Sequence, residues 1–287
     1  MNFSEQFKPY RHWKLQISDN SYINLVPERG GIITEWINQG EDILYFDEDR
    51  FKDSAKSIRG GIPILFPICG ELQSDNLVFK NSSEQMLQHG FARNNPWQMN
   101  IKEDNEIELL FTDNESTRLY YPFEFAILIQ VFLEINRLSF KIKIINNSIS
   151  EMPFNFGIHP YFRISDFSNI SLLNLPNKVI DQTNSSKVLT SKLLTRLSRG
   201  VDFIANSSEI TSIYDNIFNR KITLYNKYPF DFTVFWTNPP RKMICMEPWT
   251  SPRNSLTSGI RRIDLKPFQE INLECSIFIE KVDLLNI

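Results

Sequence analysis

Phe125-Ala126-Ile127-Leu128-Ile129-Gln130-Val131-Phe132-Leu133-Glu134-Ile135 and Leu138-Ser139-Phe140-Lys141-Ile142-Lys143-Ile144 face each other across Asn136-Arg137. In the second run Phe140, Ile142 and Ile144 share one side of an extended chain and Lys141 and Lys143 the other, because successive strand residues point to opposite faces. Two such runs separated by a polar dipeptide predict a β-hairpin. The last long segment repeats the alternation. Ile271, Leu273, Cys275, Ile277 and Ile279 lie on one face, Asn272, Glu274 and Ser276 on the other.

Working outward, residues 13–46 read as short strands with a turn or close approach at Gly30-Gly31, and 47–56 as a charged surface loop. Candidate strands follow at 97–101, 106–111, 170–175, 221–225, 232–236 and 242–246, with a polar connection at 73–88 and a long irregular excursion at 177–198. No segment carries apolar residues at helical spacing, and no repeat or low-complexity linker divides the chain. The expectation is an all-β protein, one domain over residues 1–287, folded as a large antiparallel β-sandwich, because so many strands cannot remain one open sheet.

Composition narrows the function. Hydrophobic residues make up 41% and charged residues 23% of the 287, with a formal net charge of −3. That describes a soluble globular chain without a basic track for nucleic acid. The 23 phenylalanines suit an aromatic-filled β core. Cys69, Cys245 and Cys275 lie far apart, which reads as reduced thiols in the cytoplasm, not a disulfide framework. Three isolated histidines give no metal-ligand cluster. Residues 1–8 lack a basic segment followed by an apolar core, so no signal peptide is expected. The apolar runs are too short to span a bilayer.

Three short stretches share a character. Phe154-Asn155-Phe156-Gly157-Ile158-His159-Pro160-Tyr161-Phe162-Arg163 presents an imidazole between a glycine that permits close approach to something bulky and a proline that holds the backbone extended. Gln88-His89-Gly90-Phe91-Ala92-Arg93 pairs a histidine with an arginine, and Met246-Glu247-Pro248-Trp249-Thr250 sets a glutamate before proline and tryptophan. Glu247 reads either as a partly desolvated general base or as a strand-end partner in a surface ion pair. The segment from Arg59 to Gly70, with two prolines and three glycines in twelve residues, reads as a structured loop. It either lines a cavity with Arg59 at its entrance or leaves that arginine solvated. Histidines, a carboxylate, arginines and aromatics without a phosphate loop suit a sugar site, where rings stack on the pyranose and polar groups read its hydroxyls.

Arg59-Gly60-Gly61-Ile62-Pro63, His89-Gly90-Phe91-Ala92-Arg93, His159-Pro160-Tyr161-Phe162 and Glu247-Pro248-Trp249 together resemble the aldose 1-epimerases. These are galactose mutarotase-like proteins, and the likeness is closest to the branch that includes glucose-6-phosphate 1-epimerases. The resemblance implies a supersandwich fold and interconversion of α and β anomers of an aldohexose, without cofactor or metal. On it Glu247 takes the C1 hydroxyl proton and His159 donates to the ring oxygen. His89 and Asp215 bind sugar, and Arg59 and Arg93 are the pair that would hold a 6-phosphate. Proline after His159 and the Glu247-Pro248-Trp249-Thr250 ending depart from the sugar-phosphate branch, so aldohexose and hexose phosphate both stay open as the small-molecule partner. Lys14, Arg163 and Arg253 are further candidates for an anion site. The remaining expectations are a monomer or weak dimer and no membrane partner. A non-catalytic carbohydrate-binding protein is the alternative, since fold does not dictate function.

Overall fold

Alternation of buried and exposed side chains builds the first of two large sheets in the structure, a computed structural model that describes residues 5–6, 9–72, 79, 85–103, 105–206 and 209–282. Phe125–Glu134 and Arg137–Asn146 pair antiparallel, with Leu138 opposite Leu133 and Ile144 opposite Ile127. The connecting residues are Ile135 and Asn136, one position earlier than the sequence suggests. Asn136 adopts φ 65°, a left-handed conformation that asparagine tolerates better than arginine does. Glu270–Lys281 adds on the far side of Arg137–Asn146, with Cys275 opposite Phe140. Among the described residues the sheet has eight strands, from Ile170–Leu173 at one edge to Gln98–Glu103 at the other.

A second eight-stranded sheet centres on Asp202–Asn206, Phe232–Thr237 and Met243–Trp249. Here the two faces have different work. Phe203, Phe235 and Met246 point into the main core with Phe125, Ile127, Phe140 and Ile142 of the first sheet. The five-stranded N-terminal sheet adds Ile23, Leu25 and Trp36 to the same core. The opposite face of the second sheet carries the intervening residues. The register aligns Asp202 with Trp236 and Cys245, and Ile204 with Val234 and Glu247. Cross-strand partners share a face, so polar Asp202 and Glu247 are brought to one surface by pairing alone.

Residues 47–56 and 177–198 depart from expectation. Residues 47–56 contain a one-turn helix, Glu48–Lys52, whose N-terminus is capped by Asp47 accepting from the Arg50 N–H at 3.1 Å. Its single buried residue, Phe51, lies under the Arg29 guanidinium at 4.6 Å, and one apolar residue leaves no period to read. Residues 177–198 are not irregular: Lys178–Asp181 and Ser186–Leu189 form an edge hairpin, followed by the helix Thr190–Leu194. Only one side of that hairpin packs inward, which is why its composition looks like a loop. Residues 1–4 and most of the connection at 73–88 lie outside the described residues. Among those described, no helix is long and apolar enough to cross a membrane.

Gly90 shows how closely the chain is threaded near His89. It sits at φ 70°, and a Cβ there would fall 2.1 Å from the Phe66 carbonyl oxygen. Neither the conformation nor the space admits a side chain. Gly90→Ala is therefore expected to cost about 2–3 kcal/mol in urea unfolding; an unchanged midpoint would mean that the 66–70 and 88–91 segments can separate freely.

Candidate functional site

His159 is held by a strand-like seam. Asn155, His159 and Tyr161 donate their N–H groups to the carbonyls of Pro67, Pro63 and Gly61 at 2.8, 2.9 and 2.9 Å. The glycine- and proline-rich segment thus acts as the rail along which the histidine segment lies. The imidazole stacks on the Tyr161 ring at 4.6 Å and an 8° interplanar angle. Its Nε2 is 3.4 Å from Oε1 of Glu247. The other carboxylate oxygen, Oε2, accepts the indole N–H of Trp249 at 3.0 Å. Both members of the pair are almost fully enclosed, His159 6% and Glu247 1% exposed.

His89 approaches from the opposite loop. Its backbone N–H donates to the Gly70 carbonyl at 2.6 Å, and its Nδ1 accepts from the Gly70 N–H at 3.0 Å. An imidazole that accepts at Nδ1 carries its neutral-form proton on Nε2, so His89 is a hydrogen-bond donor on its free side. Its ring centroid is 5.4 Å from that of His159.

Arg59, His89, His159, Asp202, Glu247 and Arg253 all line one cavity of about 110 Å³, with Trp236 and Trp249 in its walls. Arg253 donates to Asp202 Oδ2 at 2.6 Å and lies 3.6 Å from Glu71. Gln182 donates to Asp202 Oδ1 at 2.7 Å. The Arg59 guanidinium lies 5.3 Å from the Trp236 ring centre and makes no ion pair among the described residues. A larger hollow of about 500 Å³ on the first sheet is lined by Lys141, Lys143, Glu108 and Glu274. Its charges are exposed or engaged in ordinary pairs such as Lys227–Glu274 at 2.7 Å, and it holds no buried acid–base pair.

The protonation pattern follows from burial. Burial, with Asp202 adding to it, pushes the Glu247 carboxyl well above the usual carboxylate range, against the Trp249 hydrogen bond and the charges of Arg253 and Arg93. Burial also pushes His159 down, and Arg93 and Arg59 push it further. His89 is lowered by burial and then by His159 and Arg93. The pair is thus biased toward a carboxylic acid beside a neutral imidazole. Cys245 also has its sulfur within 4.8 Å of donor atoms of His159 and Glu247. The Arg93 and Arg59 charges that depress His159 would also work against a dication among these three groups.

Sequence reading brought four of its six candidates to the cavity: Arg59, His89, His159 and Glu247. Arg93 is 8% exposed and does not line it; its Nη2 donates to the Gln88 carbonyl at 2.9 Å. Asp215 does not line the cavity either. It ends Ile210–Asp215 in the first sheet, where its carboxylate accepts from Ser165 N–H and Oγ, both at 2.7 Å, and from the N–H groups of Ile217 and Phe218. The cavity's aspartate is Asp202. Asp215→Ala should strip three part-buried backbone N–H groups of their acceptor and cost about 1–2 kcal/mol in stability, with substrate KM unchanged in the folded fraction; a raised KM would return Asp215 to the site. Of the further cations, Lys14 lies over the Tyr22 ring at 3.6 Å and Arg163 pairs with Asp42 at 2.7 Å. Arg253 alone of these three reaches the cavity.

Two packed antiparallel sheets with this pocket on the face away from the core form a galactose mutarotase-like fold. A protein of that description from Clostridium acetobutylicum superposes with a TM-score of 0.79 at 17% identity, covering 98% of this chain and 99% of that one. The aldose 1-epimerase family model matches residues 14–277, and the chain belongs to that family. The Slr1438 protein of Synechocystis sp. PCC 6803 is 33% identical, with a TM-score of 0.89 and coverage of 98% and 99%. A Salmonella typhimurium protein provisionally named glucose-6-phosphate 1-epimerase is 26% identical over 225 residues, 76% of this chain and 71% of that one.

Proposed function

We propose that the protein interconverts the α and β anomers of an aldohexose carrying a 6-phosphate, with Glu247 and His159 as the proton-transferring groups. The observation that carries this reading is the enclosed His159–Glu247 contact at 3.4 Å, opening on a cavity that Arg59 also lines. Ring opening needs one group to take the C1 hydroxyl proton and one to protonate the ring oxygen. Glu247 as carboxylate takes the first proton through Oε1, and His159 as imidazolium supplies the second. The C1–O5 bond breaks, leaving a free aldehyde, a carboxylic acid and a neutral imidazole. Rotation about C1–C2 and the reverse transfers close the ring on the other face.

The pair holds one proton more than its fully deprotonated form both before and after opening. No outside acid is therefore consumed, and ring opening ends in the neutral pair that burial favours. His89, a donor at Nε2, is suited to an oxygen of the sugar ring. Asp202 is suited to its hydroxyls, since its lone pairs are not exhausted by Arg253 and Gln182. Arg59 and Arg253 supply guanidinium forks for a phosphate. The name borne by the Salmonella typhimurium relative supports the same substrate class.

The test is polarimetric relaxation of freshly dissolved α-glucose and α-galactose, and coupled detection of the β anomer for glucose 6-phosphate. Acceleration is expected for glucose 6-phosphate above the free sugars. Tight sugar binding without acceleration would replace this reading with the carbohydrate-binding one.

A further inference from the structure

Glu247 has two oxygens, and an acid–base site works only if the right one meets the substrate. Oε1 faces His159 at 3.4 Å, while Oε2 receives the Trp249 indole N–H at 3.0 Å. The indole has little freedom. Trp249 is 1% exposed, pairs with Gly157 across the strands, and meets the His89 ring edge-on at 5.9 Å between centroids. A Cβ at Gly157 would come 2.8 Å from Trp249 Cδ1. The bulky neighbour for which Gly157 makes room is therefore this indole, and the histidine segment walls in the group that grips the glutamate.

We propose that Trp249 is the positioning residue for Glu247: its N–H pins Oε2, selects Oε1 as the oxygen that exchanges a proton, and stabilises the carboxylate form. The catalytic half of this statement rests on the anomer-interconversion reading; the hydrogen-bond half does not. A donor aimed at an ionised carboxylate favours that form. It therefore works against burial and Asp202, which favour the acid. The other groups facing Glu247 are His159, Arg253 and Arg93, together with Cys69, Cys245 and Tyr161, which burial keeps protonated. None of these touches Oε2 within hydrogen-bonding distance among the described residues, so Trp249 is the direct lever.

The experiment is a ¹³C NMR titration of the Glu247 side-chain carboxyl, assigned with Glu247→Gln, in the full chain and in Trp249→Phe. Losing the donor should raise the midpoint by about one pH unit, the scale of a hydrogen bond to a charged group. At neutral pH kcat for anomer relaxation should fall about tenfold with KM unchanged, and the limb of the kcat/KM profile that tracks Glu247 should move with the NMR midpoint. Because phenylalanine also leaves a void, the second variant places benzothienylalanine at position 249, which keeps the bicycle and deletes the N–H. The same upward shift in both variants supports the proposal. No shift in either, or a shift with phenylalanine only, overturns it, because the effect is then packing. If the unaltered protein relaxes no sugar while the NMR midpoint still moves, the positioning of Glu247 stands and the anomer reading is what fails.

Discussion

Glu247→Gln is expected to slow anomer relaxation about a thousandfold, in the range that removal of a general base produces, while sugar affinity by calorimetry changes less than about fivefold. Glutamine keeps the shape and can still accept the Trp249 N–H at its carbonyl oxygen, so the hydrogen bond at 3.0 Å has a substitute. It cannot take a proton from the C1 hydroxyl at neutral pH. With Glu247 1% exposed, water has little room to act as a replacement base. The split between rate and affinity is the informative part. Retained activity within tenfold would exclude Glu247 as the base, and joint loss of rate and affinity in a folded protein would make it a binding residue.

Arg59→Ala is expected to raise KM for hexose 6-phosphate about 10- to 100-fold, the scale of a hydrogen bond to a charged group, and to leave KM for the free hexose nearly unchanged. Arg59 is the cleaner of the two cavity arginines to remove. Its guanidinium rests on Trp236 at 5.3 Å and makes no ion pair among the described residues, so its loss strands no carboxylate. Arg253→Ala would instead leave Asp202, bonded at 2.6 Å, without its cation and so confuse phosphate recognition with damage to the sugar site. Equal loss for phosphorylated and free sugar would assign Arg59 to the ring hydroxyls. No loss for either would place the anion elsewhere. Screening gives an independent check, because the phosphate-dependent part of the affinity should weaken as salt rises.

Much of the architecture was legible because alternation is written residue by residue. Phe140, Ile142, Ile144 and Lys141, Lys143 need no distant partner to declare which face is buried, and the 125–144 hairpin forms where they predict. The Phe51 helix and the 178–189 hairpin were not legible. Each buries so few apolar side chains that no period emerges, and each depends on the body of the protein to cover it. Asp215 carried a readable signal that pointed the other way. It is followed by Asn216, Ile217 and Phe218, and its carboxylate closes that turn by accepting the N–H groups of Ile217 and Phe218, as aspartates at turns commonly do.

By itself the sequence determined the strand faces, the imidazole offered between Gly157 and Pro160, and the glutamate two residues ahead of a tryptophan. These follow from sterics and side-chain chemistry acting within a few residues. Only the tertiary structure decided that Asp202, not Asp215, lines the cavity with Glu247, that Arg253 and not Arg93 lines it too, and that Trp249 binds one chosen oxygen of its neighbour. Those outcomes depend on strand register and on how one sheet lies over another. A shift of a single residue in register turns a side chain to the opposite face, so which groups meet is settled by packing summed over whole sheets.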